Sequence, residues 1–135
     1  MNEITLDAVV ANLDKVTDFV NEELEKIGCP FKAMTQIDVV IDELFSNIAH
    51  YAYKPDVGPA TVTVDVQEDP ICVIITFKDN GKPFNPLDTA EPDTTLSAED
   101  RKIGGLGIFL VKKTMDSVTY EYKNGQNILR IKKDL

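Results

Sequence analysis

Three short stretches of this chain carry residues that could bind a ligand or take part in chemistry. In VIDELFSNIAHYAY, Glu43 and Asn47 stand four residues apart, and His50, the only histidine, and Lys54 follow at steps of three and four. Residues at these steps share one face of a helix. That face is rotated away from the apolar stripe, so it could line the edge of a pocket. Taken alone, a solvated polar face and an ordinary surface histidine are the more common meaning of such spacing.

The second stretch is KDNGKPFNP, at the end of the most apolar strand-like run. Asp79 is placed to accept hydrogen bonds where the chain leaves the sheet. Gly81 either lets a flat ligand approach closely or forms a turn with positive φ. Because Asp-Asn-Gly is common turn chemistry, a simple turn explains this stretch equally well.

The third stretch is IGGLGIF, in which Gly104, Gly105 and Gly107 precede and open an apolar helix. Exposed backbone N–H groups at a helix N-terminus can bind phosphate oxygens where no side chain intervenes. The spacing matches neither the Walker loop nor the Rossmann fingerprint. Glycines in a first turn cost helix stability, so their presence calls for a functional reason.

Two amphipathic helices and five strands are predicted to position these stretches. NLDKVTDFVNEELEKIGCP forms a helix with Asn12 as its N-cap, and residues 31–53 form a second helix with an apolar stripe. A strand ITL precedes them, and ATVTVDVQED and ICVIITFKDN follow as an antiparallel pair. The apolar positions of the second helix recur at three- and four-residue steps: Ile37, Ile41, Leu44, Ile48 and Ala52.

Residues 81–103 have neither a helical nor a strand period, and a loop of that length within a compact domain is uncommon and is usually functional or disordered. GGLGIFLVKKTMD then forms a short helix, and SVTYEYK and QNILRIKK form a hairpin around Asn124-Gly125. With three helices and a mainly antiparallel sheet, the predicted architecture is a two-layer α/β sandwich.

Composition narrows the classes of protein that fit. With 135 residues the chain is predicted to be a single domain, and its formal charge of −9 disfavours direct nucleic-acid binding. No signal peptide or membrane-spanning run is present in the sequence, so a cytoplasmic protein is expected. Cys29 and Cys72 are too few for a disulfide framework or a zinc site, and Cys72 is expected to be a small core residue.

The ordered set ELFSN, DNGKPF, a long unpatterned loop and GGLGIFL resembles the N, G1 and G2 boxes of the GHKL ATPase superfamily. Within it, the chain looks like the anti-sigma regulatory factor branch of stand-alone serine/threonine kinases. The resemblance covers nearly the whole chain. It implies the Bergerat ATP-binding fold, a mixed, mainly antiparallel sheet with three helices on one face.

The resemblance implies a role for both polar residues of the N box. Glu43 matches the glutamate that acts as general base toward the attacking hydroxyl or water. Asn47 matches the asparagine that ligates Mg²⁺, which bridges the phosphates of ATP. These residue types suit phosphoryl transfer, since Mg²⁺ prefers oxygen ligands and a carboxylate aligns the nucleophile.

The G1 and G2 boxes imply the nucleotide-binding residues. Asp79 matches the aspartate that hydrogen-bonds the adenine amino group, and Gly81 gives clearance beside the base. Residues 82–103 match the ATP lid, from which Arg101 or Lys102 would meet the phosphates on closure. Further nucleotide-binding positions implied by the same boxes are Phe84, Gly105, Leu106 and Gly107.

The resemblance implies that the chain transfers the ATP γ-phosphate to a serine or threonine of a protein partner. That partner would be an anti-sigma-factor antagonist of the STAS type, and a sigma factor would be the protein that the chain inhibits. A homodimer is compatible with this branch.

Two positions depart from the family pattern: Tyr51 stands where relatives have histidine, and Asn85 where many have aspartate. An ATP-binding interaction module with little or no kinase activity is therefore the alternative. A histidine kinase domain and an ATP-free interaction domain are further hypotheses.

Overall fold

The computed structural model describes residues 1–88 and 105–135 of the chain. Within them it contains five strands and three α-helices, in the chain order predicted from the sequence. The elements are β1 Asn2–Asp7, α1 Leu13–Lys26, α2 Phe31–Asn47, β2 Pro59–Gln67, β3 Cys72–Asp79, α3 Gly105–Thr114, β4 Ser117–Lys123 and β5 Gln126–Asp134.

The strands form one sheet in the order β1-β2-β3-β5-β4. All four pairings in the described part of the chain are antiparallel, so the parallel pairing that a mixed sheet would contain is not found there. The register aligns Val62 with Phe77 and Phe77 with Leu129, which sets their side chains on the same face of the sheet. That face packs against the helices.

The core lies between the helices and this one face of the sheet, which confirms the two-layer architecture. Apolar side chains three and four residues apart on α1 and α2 point to the sheet, as the amphipathic pattern predicted. Each large apolar side chain buried in this way contributes roughly 1.5–3 kcal/mol. Fully or almost fully buried members are Val16, Val20, Leu24, Ile37, Ile41, Leu44, Phe45, Val62, Ile75 and Phe77. Cys72 is a small buried residue with a free thiol, as expected.

The second helix departs from its predicted range of 31–53. The α-helix ends at Asn47, and the segment Ile48–Ala52 continues as a π-helical turn. This wider turn places the carbonyl of Ala52 where it accepts the backbone N–H of Lys82 at 2.9 Å. Such turns are frequent at functional sites.

The structure bears on two local predictions, a hairpin turn and a helix N-cap. The Asn124-Gly125 hairpin is confirmed, since both residues adopt positive φ, 54° and 76°, and Lys123 pairs with Gln126. Asn12 occupies the N-cap position of α1, as predicted, but its side chain makes no capping hydrogen bond, and its amide nitrogen donates to the Asp7 carbonyl at 2.9 Å. A short 3₁₀ turn, Val10–Asn12, leads into α1 in place of a side-chain cap. Across the described residues, every helix is too short or too polar to cross a membrane.

Candidate functional site

An open pocket lies between the C-terminal end of α2, the π-helical turn and strands β3, β4 and β5. Its walls are mainly apolar, with Ile48, Phe77 and Leu129 among them. Three polar side chains converge on it: Asn47, Asp79 and Asn127. A largely apolar cleft with a few convergent polar groups is typical of a small-molecule site.

Asp79 is the most deeply buried acidic residue of the described chain that lines this pocket, with 5% of its surface exposed. Its Oδ1 accepts the Gly81 N–H and the Asn127 side-chain N–H, both at 2.9 Å. Oδ2 accepts no hydrogen bond from the described residues. Burial raises the pKa of the Asp79 carboxyl, and the hydrogen bonds from Asn127 and Gly81 oppose that rise. The carboxylate therefore offers one free acceptor oxygen to a ligand.

Gly81 packs directly against the π-helical turn. A Cβ atom at this position would lie 2.2 Å from the Ala52 carbonyl oxygen and 2.7 Å from the Ala52 Cβ. The adjoining Lys82 N–H donates to that same carbonyl. Only glycine allows this close approach of two backbone segments, so Gly81 joins the pocket floor to the end of α2.

Gly81→Ala is expected to destabilise the fold by about 1–3 kcal/mol, because backbone atoms of Ala52 must move to admit the methyl group. Denaturant unfolding measures the loss. Gly28→Ala is the matched control, since a Cβ there meets no atom within 4 Å and only its φ of 67° resists substitution. Unchanged stability of Gly81→Ala would contradict the close approach.

Glu43 and Asn47 form a hydrogen-bonded pair beside the first turn of α3. The Asn47 Nδ2 donates to the Glu43 Oε1 at 3.3 Å. A Cβ atom on Gly107 would lie 2.1 Å from the Glu43 Oε2, so the absence of a side chain there makes room for the carboxylate. Burial raises the pKa of Glu43, the Asn47 hydrogen bond opposes this, and the charge of Asp42 adds to it. A carboxylate with a raised pKa is a better proton acceptor.

The structure brings most of the predicted site residues together. Asn47 and Asp79 line the pocket with Phe84, Gly81 forms its turn, and Glu43 faces Gly107. Gly105 is the first residue of α3. Leu106 follows it in the helix, although its side chain lies outside what the structure describes. Outside the described residues lie Gly104, Arg101, Lys102 and all of 89–104, which make up most of the predicted lid.

The polar face predicted for the second helix is divided where α2 gives way to the π-helical turn. His50 and Lys54 are exposed and are absent from the pocket lining. The His50 ring contacts Tyr51, with centroids 6.1 Å apart, and Tyr51 contacts Phe84 at 5.8 Å. His50 therefore borders the pocket rim through other aromatic rings and does not join the Glu43–Asn47 pair.

Asn127 and Tyr53 are the residues that sequence reasoning missed. Asn127 is 6% exposed and contacts Asp79 directly, and the Tyr53 hydroxyl accepts the Asn80 N–H at 2.7 Å. The sequence does contain a signal for Asn127 in QNILRIKK. Asn127, Leu129 and Ile131 are each two residues apart, so Asn127 lies on the same inward face of the strand as these two apolar residues. A lone amide on the buried face of a strand requires polar partners there.

The fold and this site define the class of protein. Residues 6–133 match the family model described as histidine kinase-like ATPase domain, and the chain belongs to that family. The resemblance to the GHKL superfamily inferred from the N, G1 and G2 boxes is thereby confirmed.

Curated relatives place the chain within a branch of that family. It is 28% identical over 116 residues to the serine-protein kinase RsbW of Bacillus mycoides, covering 79% of this chain and 68% of that protein. It is 30% identical over 113 residues to the serine-protein kinase RsbW of Listeria monocytogenes, covering 79% and 70%. The expectation of the serine/threonine kinase branch is borne out by these relatives.

A solved structure shares the fold. The histidine kinase AdeS of Acinetobacter baumannii superimposes with a TM-score of 0.52 at 15% identity, over 99% of this chain and 68% of that one. At this identity the likeness concerns the fold alone, and it supports the predicted Bergerat arrangement of sheet and helices.

Proposed function

We propose that this chain is an ATP-dependent serine/threonine protein kinase that transfers the γ-phosphate to a protein partner. The observation that carries the proposal is the juxtaposition of two groups. A free Asp79 oxygen lies in an apolar pocket, and the Glu43–Asn47 pair lies at the same end of α2, against the glycine turn of α3.

Asp79 is proposed to select the base. Its free Oδ2 would accept the adenine amino N–H, while the apolar walls of the pocket cover the ring faces. Gly81 and Phe84 contribute the turn and part of the wall. The carboxylate must be ionised to accept this bond, which the hydrogen bonds from Gly81 and Asn127 favour.

Asn47 is proposed to hold Mg²⁺. Because its Nδ2 is directed to Glu43, its Oδ1 remains as an oxygen ligand of the kind Mg²⁺ prefers. The described residues contain no group of three or more His, Cys, Asp or Glu side chains suited to a metal, so the other ligands would be phosphate oxygens and water. When bound, Mg²⁺ offsets phosphate charge in a chain whose net charge is −9.

Glu43 is proposed to be the general base. Its carboxylate, with its pKa raised by burial, would accept the proton of the attacking hydroxyl. The backbone N–H groups of Gly105, Leu106 and Gly107 would donate to the phosphates, since the first N–H groups of an α-helix have no partner within the helix.

Several finer features belong to the same proposal. The single domain spans residues 1–135, and residues 82–103 form the ATP lid, with Arg101 or Lys102 meeting the phosphates. The phosphate acceptor is a STAS-type anti-sigma-factor antagonist, and a sigma factor is the protein sequestered. A cytoplasmic location and a homodimer are compatible with these partners. The support for the partners comes from the branch to which the relatives belong.

Two measurements test the proposal. Mg-ADP at a hundredfold excess over Kd is expected to stabilise the fold by about 2.7 kcal/mol, seen as a thermal shift. Single-turnover transfer of labelled γ-phosphate to a copurified partner then tests the kinase. Binding without transfer to any partner supports the alternative, an interaction module with an ATP site. No thermal shift with either Mg-ATP or Mg-ADP would overturn both.

A further inference from the structure

The side-chain amide of Asn127 uses all of its hydrogen-bonding capacity at the pocket. Its Nδ2 donates to the Asp79 Oδ1 at 2.9 Å and to the Lys82 carbonyl at 2.8 Å. Its Oδ1 accepts the Phe84 backbone N–H at 3.0 Å and the Tyr120 hydroxyl. An amide has two N–H groups and two lone pairs, so none remains for a ligand.

These partners determine which way the amide faces. A reversed amide would set its oxygen against the Asp79 carboxylate and the Lys82 carbonyl, and its N–H groups against the Phe84 N–H. Each of those contacts would pair like with like. The surroundings therefore permit one orientation, and Asn127 itself is too deeply buried for water to compensate a wrong one.

The amide joins parts of the chain that are far apart in sequence. Asn127 lies on β5, Asp79 ends β3, and Tyr120 lies on β4. Lys82 and Phe84 belong to the segment that leaves β3 toward residue 88. The register aligns Asp79 with Asn127 across the β3–β5 pairing, so the contact is built into the sheet.

We propose that Asn127 is a positioning residue: its amide holds the Asp79 carboxylate as a hydrogen-bond acceptor with Oδ2 left for the ligand, and it fastens residues 82–84 to the sheet. The inference rests on the proposed nucleotide site. It adds that the base is bound in one orientation because an amide with all of its hydrogen bonds satisfied fixes the Asp79 carboxylate.

Asn127→Asp tests the first half of the proposal. The variant replaces the donor N–H groups with a carboxylate oxygen facing Asp79, and among the described residues the titratable groups in contact with this side chain are Asp79 and Tyr120. When both carboxylates are ionised they repel each other, whereas a shared proton restores a donor between them. Affinity for Mg-ADP is expected to fall about tenfold or more at about pH 8, and to recover as the pH is lowered to about 5.5.

The original chain is expected to show the opposite trend, since protonation of Asp79 removes its acceptor. Titration of the ADP phosphates affects both proteins equally, so the affinity of Asn127→Asp is divided by that of the original chain at each pH to remove this effect. Asn124→Asp is the control, because Asn124 adds the same charge at the exposed tip of the same hairpin. Its affinity ratio is expected to stay within about twofold at every pH, as for an exposed surface charge. If Asn127→Asp is unfolded at about pH 8, refolding on acidification reports the same shared proton.

Asn127→Leu tests the second half without nucleotide. The change removes the acceptor of the Phe84 N–H, whose amide hydrogen exchange is expected to accelerate about tenfold or more. The Ile75 amide, within β3, serves as the reference for global opening. Unchanged Phe84 exchange, or Asn127→Asp that binds Mg-ADP at about pH 8 as the original does, would overturn the proposal. Absence of ADP binding by the original chain would refute the proposed function, while the exchange measurement would still decide the role of Asn127.

Discussion

Asp79→Asn is expected to weaken adenine-nucleotide binding by about 100-fold or more while leaving the unliganded fold as stable as before or more stable. Both hydrogen bonds that Asp79 accepts go to Oδ1, and an asparagine oxygen at that place can accept both. The amide nitrogen then replaces the free Oδ2. Because this nitrogen and the adenine amino group are both hydrogen-bond donors, the contact with the ligand is lost. The hydrogen bonds from Gly81 and Asn127 are kept.

The effect on stability follows from the raised pKa of Asp79. Between its ordinary pKa and the raised one, the folded state holds a proton that the unfolded state has lost, so stability falls as pH rises through that window. The loss is complete above the raised pKa. The variant lacks this titration, so its advantage in stability is expected to be largest above the raised pKa and to shrink as pH falls toward the ordinary pKa of an aspartate.

Isothermal titration with ADP and thermal unfolding at several pH values measure both effects. Asp18→Asn makes the same chemical change at an exposed position of α1 and is expected to alter neither. Retained ADP affinity in Asp79→Asn would refute the role of Asp79 as base anchor. A large loss of stability at pH 7 would instead indicate that Oδ2 has a structural partner.

Glu43→Gln is expected to reduce phosphoryl transfer by about 10²- to 10⁴-fold with ATP affinity changed only a few-fold. The glutamine oxygen can still accept the Asn47 N–H, so the pair keeps its geometry and the metal ligand stays in place. What is lost is a carboxylate whose buried position makes it a proton acceptor.

Single-turnover assays at saturating ATP separate the chemical step from binding. Asp42→Asn is the matched control, because Asp42 neighbours Glu43 in sequence, is exposed, and accepts only from Ser46 among the described residues. Transfer by this control is expected to stay within about threefold, because the charge of Asp42 is only the smallest cause of the raised pKa of Glu43. Equal transfer rates for Glu43→Gln and the original chain would exclude Glu43 as the base.

The fold was predictable because its periodicities are strong. Apolar residues at helical spacing and alternating strands placed α1, α2 and the sheet, and Asn124-Gly125 identified the last hairpin. The end of α2 was not predictable, because Ile48 and Ala52 continue the apolar spacing of α2 although their segment is a π-helical turn with i→i+5 hydrogen bonds. The Ala52 carbonyl accepts the Lys82 N–H, a contact between distant segments that a local sequence pattern does not reveal.

The candidate site was predictable only in part. Glu43, Asn47 and Asp79 belong to short boxes whose order carries information, whereas Asn127 lies in an unremarkable strand and gains its role from pairing with β3. The missing side-chain cap at Asn12 has a local cause instead, since its amide nitrogen donates to the Asp7 carbonyl five residues earlier. For Asn127 the decisive partner is set by tertiary structure.

The position of β5 between β3 and β4 has a consequence for the order of biosynthesis. Strands β3 and β4 are made first but do not touch, and only β5, which emerges last of the three, joins them. Asp79, at the end of β3, therefore lacks its hydrogen-bond partner Asn127 while the ribosome is still making the final hairpin. If Asp79 needs Asn127 to hold it, the proposed nucleotide site is therefore expected to form only after β5 has been made.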